Sequence, residues 1–140
     1  AVQIGVAGPA EPEELHVLRD QAVAALTAVE IARRAGCHHV SDLPTLAALG
    51  RSGDLGLVLA GRHRGSRAQL GGGLDDVARS VQAFVERDRD VRAAAGELFV
   101  HPNTVRNRVQ RFADVTGIDP WSSFGAVDAW WLCHAWLTEP

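Results

Sequence analysis

The twenty residues AAAGELFVHPNTVRNRVQRF, Ala93–Phe112, constrain this chain more than any other stretch, because they carry the stop of one short helix and, a tight turn later, the start of a second. Asp90 is placed to cap the first helix, its carboxylate accepting from backbone N–H groups that have no intrahelical partner. Val91, Ala94, Ala95 and Leu98 follow at i, i+3, i+4 and i+7, the period of an apolar helix face. That helix closes at Phe99-Val100. His101 occupies the next N-cap position, with Pro102 at the first helical position, where the missing N–H costs nothing. Val105, Val109, Phe112 and Thr116 then recur at spacings of 4, 3 and 4, one inward stripe, and Gly117 ends the helix.

The outer face of this second helix bears Asn103, Arg106, Asn107, Gln110 and Arg111, with Arg108 on the flank beside the apolar stripe. Arginine, asparagine and glutamine carry forked donors and acceptors that match guanine and adenine edges in the major groove. Three arginines and no acid lie between His101 and Arg111. Two short helices with such a face have the form of a helix-turn-helix DNA reader, the N-terminal turn aimed at bases and the later arginines at phosphates. Pro102, Asn103, Thr104, Arg106, Asn107, Arg108, Gln110 and Arg111 are the candidate DNA-binding residues. Asn103, Arg106 and Asn107 are assigned to base edges. Thr104 is assigned to backbone or phosphate at the helix start, and Gln110 and Arg111 to phosphate. Arg108 suits either a phosphate or a structural bond to the first helix of the unit.

Residues Leu74 to Leu137 resemble the C-terminal helix-turn-helix domain of PucR/CdaR-type bacterial transcription regulators. Ala95, Leu98, Val100, His101, Asn103-Thr104-Val105, Arg108 and Thr116-Gly117 carry the likeness. Ile4 to Leu49 is similar, more weakly, to the end of the GGDEF-like domain that precedes it in such regulators. The resemblance implies a homeodomain-like, tri-helical DNA reader within a longer multidomain protein whose signals are sensed upstream. The two cysteines, far apart, suggest no disulfide framework, so a reducing cytoplasm is the expected compartment.

The rest of the chain divides accordingly. Val2, Ile4 and Val6 alternate with Gln3, Gly5 and Ala7 as a short strand. Pro12 opens a helix to about Arg34, with Leu15, Leu18, Ala22, Leu26 and Val29 on one face and Gly36 closing it. His39-Val40-Ser41 reads as a second strand and Pro44–Leu49 as a short helix, while LGLVLA from Leu55 fits strand or helix equally. Residues 1–60 are thus expected to form a partial, GGDEF-like (ferredoxin-like) α/β segment. Residues 61–73, GRHRGSRAQLGGG, lack a periodic apolar face and read as a flexible linker. Residues 74–140 form the helix-turn-helix domain, its first helix marked by Leu74, Val77, Ala78, Val81, Phe84 and Val85. The expected fold class is mainly α: a small α/β remnant, a tri-helical unit and an extra C-terminal helix.

That last helix holds Trp130, Trp131 and Trp136, and with Trp121 all four tryptophans fall in the final twenty residues. From Phe124 to Leu137 it is apolar nearly all round, so it must be buried on more than one side. It caps the tri-helical unit with one face, and the other meets either a second copy in a homodimer or the N-terminal part. A protein-interaction module built on these tryptophans is the alternative to DNA binding.

Net charge is −3, but residues 86–111 hold six arginines against four acids, a small local surplus of positive charge. Useful affinity for double-stranded DNA then needs more than one copy, since the phosphate contribution grows with the number of contacts. An enzyme is not expected: there is no lysine for a Schiff base, and no acidic cyclase signature. Cys37-His38-His39 and Cys133-His134 lack zinc-ligand spacing, and no dinucleotide fingerprint occurs, so neither metal nor cofactor is implied. The most apolar run, Ala129–Leu137, is about half the ~20 residues of a membrane span. The absence of methionine suggests a fragment of a longer chain.

Overall fold

The computed structural model describes residues 2–138 and divides into two units, one up to Asp54 and one from Leu55 onward. The first is a β-α-β arrangement. Strand β1 (Gln3–Val6) pairs in parallel with β2 (Gly36–His39), Gln3 opposite Gly36 and Val6 opposite His39. Helix α1 (Leu15–Ile31) connects them, and α2 (Pro44–Arg51) follows. Gly5 is the residue that lets α1 lie against the sheet: a Cβ there would run into the backbone of Ala22 and Leu26.

The face of α1 differs from the expected one. Ala24, Ala25, Ala28 and Val29 are its buried residues, while Leu15 is 64% exposed. The cause is that α1 has neighbours on two sides, β1 and α2, and alanines allow the closest approach; Ala24, Ala28 and Ala47 form the small core with Val40, Leu43 and Leu46 around it. The second strand also lies earlier than expected. His39 ends it and caps a 3-10 turn over Val40–Asp42: its ring accepts from the Ser41 N–H, and Asp42 Oδ2 accepts from the His39 N–H at 2.8 Å. That capping box turns the chain just where Val40 would have continued the strand.

The second unit is entirely helical. Helix α3 (Gly53–Arg62) leads into it, resolving the ambiguity of LGLVLA in favour of helix. Residues 61–73 correct the expectation of a flexible linker. They contain helix α4 (Arg64–Leu70) and a 3-10 turn (Gly71–Gly73). Leu70 is buried in the core of this unit, and the buried Ser66 hydroxyl donates to the Val115 carbonyl at 2.7 Å. Seven residues are too few to show a helical period, so only tertiary contact orders them.

Helices α5 (Leu74–Glu86), α6 (Val91–Leu98), α7 (Pro102–Thr116) and α8 (Ser123–Thr138) complete the unit. α5 is central and touches the other three. Its Val77, Ala78, Val81 and Phe84 meet Ala94 and Ala95 of α6, Val105, Val109 and Phe112 of α7, and Ala129, Leu132, Cys133 and Trp136 of α8 in one core. Burial pushes the Cys133 thiol pKa well up, so it acts as a small apolar residue.

Candidate nucleic-acid interface

The α6-turn-α7 element is held by caps at both joints. Asp90 Oδ1 accepts from the N–H groups of Arg92 and Ala93 at 2.7 and 3.2 Å. α6 closes by two backbone bonds, Val100 N–H to the Ala95 carbonyl and Phe99 N–H to that of Gly96, with Phe99 in the left-handed region at φ 53°. This is the Schellman closure, and it leaves Val100 packed against the core of this unit. His101 Nδ1 then accepts from the Asn103 N–H at 3.2 Å and starts α7. At the far end Gly117 takes φ 73°, and Thr116 turns its hydroxyl to the Phe112 carbonyl at 2.8 Å.

α7 is anchored from behind by Val105, Val109 and Phe112, all fully buried. A helix fixed along one stripe presents a defined opposite face, and here that face is Asn103, Arg106, Asn107, Gln110 and Arg111, all exposed. Arg106 Nη1 donates to Asn103 Oδ1 at 2.7 Å, so these two side chains form a joined pair at the helix start. Asn107 lies beside them in sequence with no side-chain partner among the described residues. Gln110 donates to Asp114 Oδ1 at 2.8 Å, and Arg111 makes one long bond, 3.4 Å, to the Gln69 carbonyl. Pro102 and Thr104 are half-buried, and the Thr104 N–H donates to the His101 carbonyl at 2.9 Å.

Arg108 is apart from this face. It pairs with Asp76 of α5 and donates to the fully buried Ser80 hydroxyl at 3.4 Å. Ser80 in turn donates to the Asp76 carbonyl at 2.7 Å. The bond thus pins α7 to α5. The two lie 32 positions apart, and only the crossing of α5 and α7 brings Asp76 to Arg108.

The same pairing redistributes charge. Arg87 Nε donates to Glu97 Oε2 at 2.7 Å, tying the end of α5 to α6, and Arg89 donates to the Trp121 carbonyl at 2.9 Å. Of the six arginines within residues 86–111, Arg89, Arg92, Arg106 and Arg111 therefore remain exposed without a carboxylate partner among the described residues. Arg92, in the first turn of α6, is a cation that the residue pattern of α7 does not mark; its place directly after the Asp90 cap is the signal that could find it.

The tryptophans are used inside the unit. Trp130 and Trp136 are buried; Trp130 Nε1 donates to Glu86 at 2.7 Å, and Trp136 meets Phe112 edge-to-face at 5.9 Å. Trp131 is half-buried, its indole close over Gly56 of α3, where a Cβ would stand 3.2 Å from Nε1.

Residues 77–135, from α5 into α8, match the family model of the PucR C-terminal helix-turn-helix domain. This stretch of the chain, the α6-turn-α7 element included, is similar to that domain. An uncharacterised protein of Mycobacterium tuberculosis, Rv2242, is 46% identical over 41 residues, which are 29% of this chain and 10% of the relative. The uncharacterised YxkF of Bacillus subtilis is 30% identical over 64 residues, 46% of this chain and 22% of the relative. The chain thus spans about a tenth and a fifth of the lengths of these relatives in the matched regions. No solved structure matches the chain. No helix among the described residues is long and apolar enough to cross a membrane.

Proposed function

We propose that the helical unit binds duplex DNA sequence-specifically, with α7 in the major groove, as the DNA-reading part of a bacterial transcription regulator. The observation that carries this reading is the joined Asn103–Arg106 pair, with Asn107 beside it, on the exposed face of a helix whose opposite face is fully buried. Asn103, Arg106 and Asn107 meet base edges, where their forked groups select adenine or guanine. Arg92, Gln110 and Arg111 meet phosphates, and Thr104 serves the helix start. Arg108 acts structurally, which its bonds to Asp76 and Ser80 support.

Within the same proposal, the β-α-β unit is the end of a GGDEF-like domain, a reading its parallel strands support. The full-length protein works in the cytoplasm, under an upstream sensory domain, and binds as a homodimer. Pairing suits the small number of unpaired cations on each copy. The interaction-module alternative has less support, because Trp130 and Trp136 are buried in their own unit.

Salt separates the two. Binding to a duplex, followed by fluorescence anisotropy, is expected to fall linearly in log K against log[salt], with a slope of roughly −2 to −3 per copy for two or three phosphate contacts. A slope near zero would point to apolar contact and against this function.

A further inference from the structure

Phe99 is 95% exposed and sits at φ 53°, ψ 40° in the turn between α6 and α7. Neither fact is explained by stability. The left-handed position that closes a Schellman motif favours glycine, because a Cβ crowds the following carbonyl there. An exposed phenyl ring also gains nothing from burial. The other non-glycine residues with positive φ, Arg33, Asp88 and Arg89, are polar and suit water. Phe99 alone among these is apolar, and it lies three residues ahead of Pro102, where α7 begins.

We infer that Phe99 is an apolar DNA contact at the rim of the groove that α7 enters. The inference rests on the function proposed above. A helix inserted by its N-terminal turn carries the preceding turn to the groove edge, and the exposed Arg106, in the second turn of α7, brings positive charge to the same end of that helix. The apolar chemistry available on a duplex is the thymine C5 methyl or the deoxyribose face, and a phenyl ring fits either.

The test uses the whole chain with Phe99→Gly and Phe99→Leu on a duplex that the unsubstituted chain binds. Phe99→Gly is expected to raise the melting temperature by about 3–6 °C, as the left-handed position is relieved, and yet to weaken binding roughly five- to tenfold. Phe99→Leu keeps an apolar side chain and most of the affinity. Replacing thymine by deoxyuridine in the bound duplex then separates the two sources. Loss in the unsubstituted chain but not in Phe99→Gly assigns the methyl; no effect in either, with Phe99→Gly still weakened, assigns the sugar. Unchanged affinity in Phe99→Gly overturns the inference while leaving DNA binding intact. So does a dimer in sedimentation that Phe99→Gly abolishes at unchanged affinity per copy, which would give the ring to a second copy. Failure of the unsubstituted chain to bind any duplex would remove the proposed function and this contact together.

Discussion

Phe112→Ala is expected to destabilise the helical unit by about 3–5 kcal/mol, the range for removing a fully buried aromatic side chain. Phe112 has no exposed surface, packs within the core shared by α5, α7 and α8, and meets Trp136 edge-to-face. It is the point at which α7 and α8 lean on one another. Domains of this size are stable by about 5–15 kcal/mol in all, so the variant should be largely unfolded by modest urea. Urea titration followed by tryptophan emission checks this directly, because Trp136 passes from a buried site to water. A loss below about 1 kcal/mol would mean that α7 is not anchored through this residue, and the fixed orientation of its outer face would lose its basis.

Arg106→Ala should leave the fold alone and act on DNA. The side chain is exposed, and its bond to Asn103 is a surface contact, so stability should move by no more than about 0.5 kcal/mol. Affinity for a selected site should fall by about 1–3 kcal/mol, tenfold to more than a hundredfold, with relaxed choice at one base pair. A phosphate-binding arginine would behave differently, weakening all sequences alike and flattening the salt dependence. Arg108→Ala is the natural contrast: it removes the pairing with Asp76 and the bond to Ser80 that tie α7 to α5, so stability falls while base preference holds. Anisotropy on matched and mismatched duplexes, with melting curves for each variant, separates the two. An unchanged affinity and unchanged preference in Arg106→Ala would remove it from the reading face.

What could be read from the residues follows from what is local. Caps and stripes are local signals, and Asp90, His101-Pro102 and Gly117 marked the ends of α6 and α7 where the structure has them. The first strand and the long helix after it were likewise legible in the alternation of Val2, Ile4 and Val6 before Pro12, whereas the second strand lies three residues earlier than the pattern placed it. Elements that exist only through tertiary contact were not legible. Helix α4 is seven residues long and is ordered by Leu70 in the core and by the Ser66–Val115 bond, which spans 49 positions. The alanine face of α1 was hidden because leucines marked the stronger period, whereas close packing on two sides selected the smaller residues. On the candidate site, the residue types of the outer face could be named, but not how they are joined. Arg108 was ambiguous on its flank until α5 supplied Asp76, and Phe99 looked like a simple helix end until its exposure was seen.

Selection of bound sites from a pool of random duplexes tests the central claim most directly. The account predicts that the folded chain enriches a short motif whose specified positions relax in Arg106→Ala. Two such half-sites about one helical turn apart are expected if the chain pairs. A pool that stays random after repeated rounds, while circular dichroism shows the helices intact, would contradict the assignment of α7 as a sequence-reading helix.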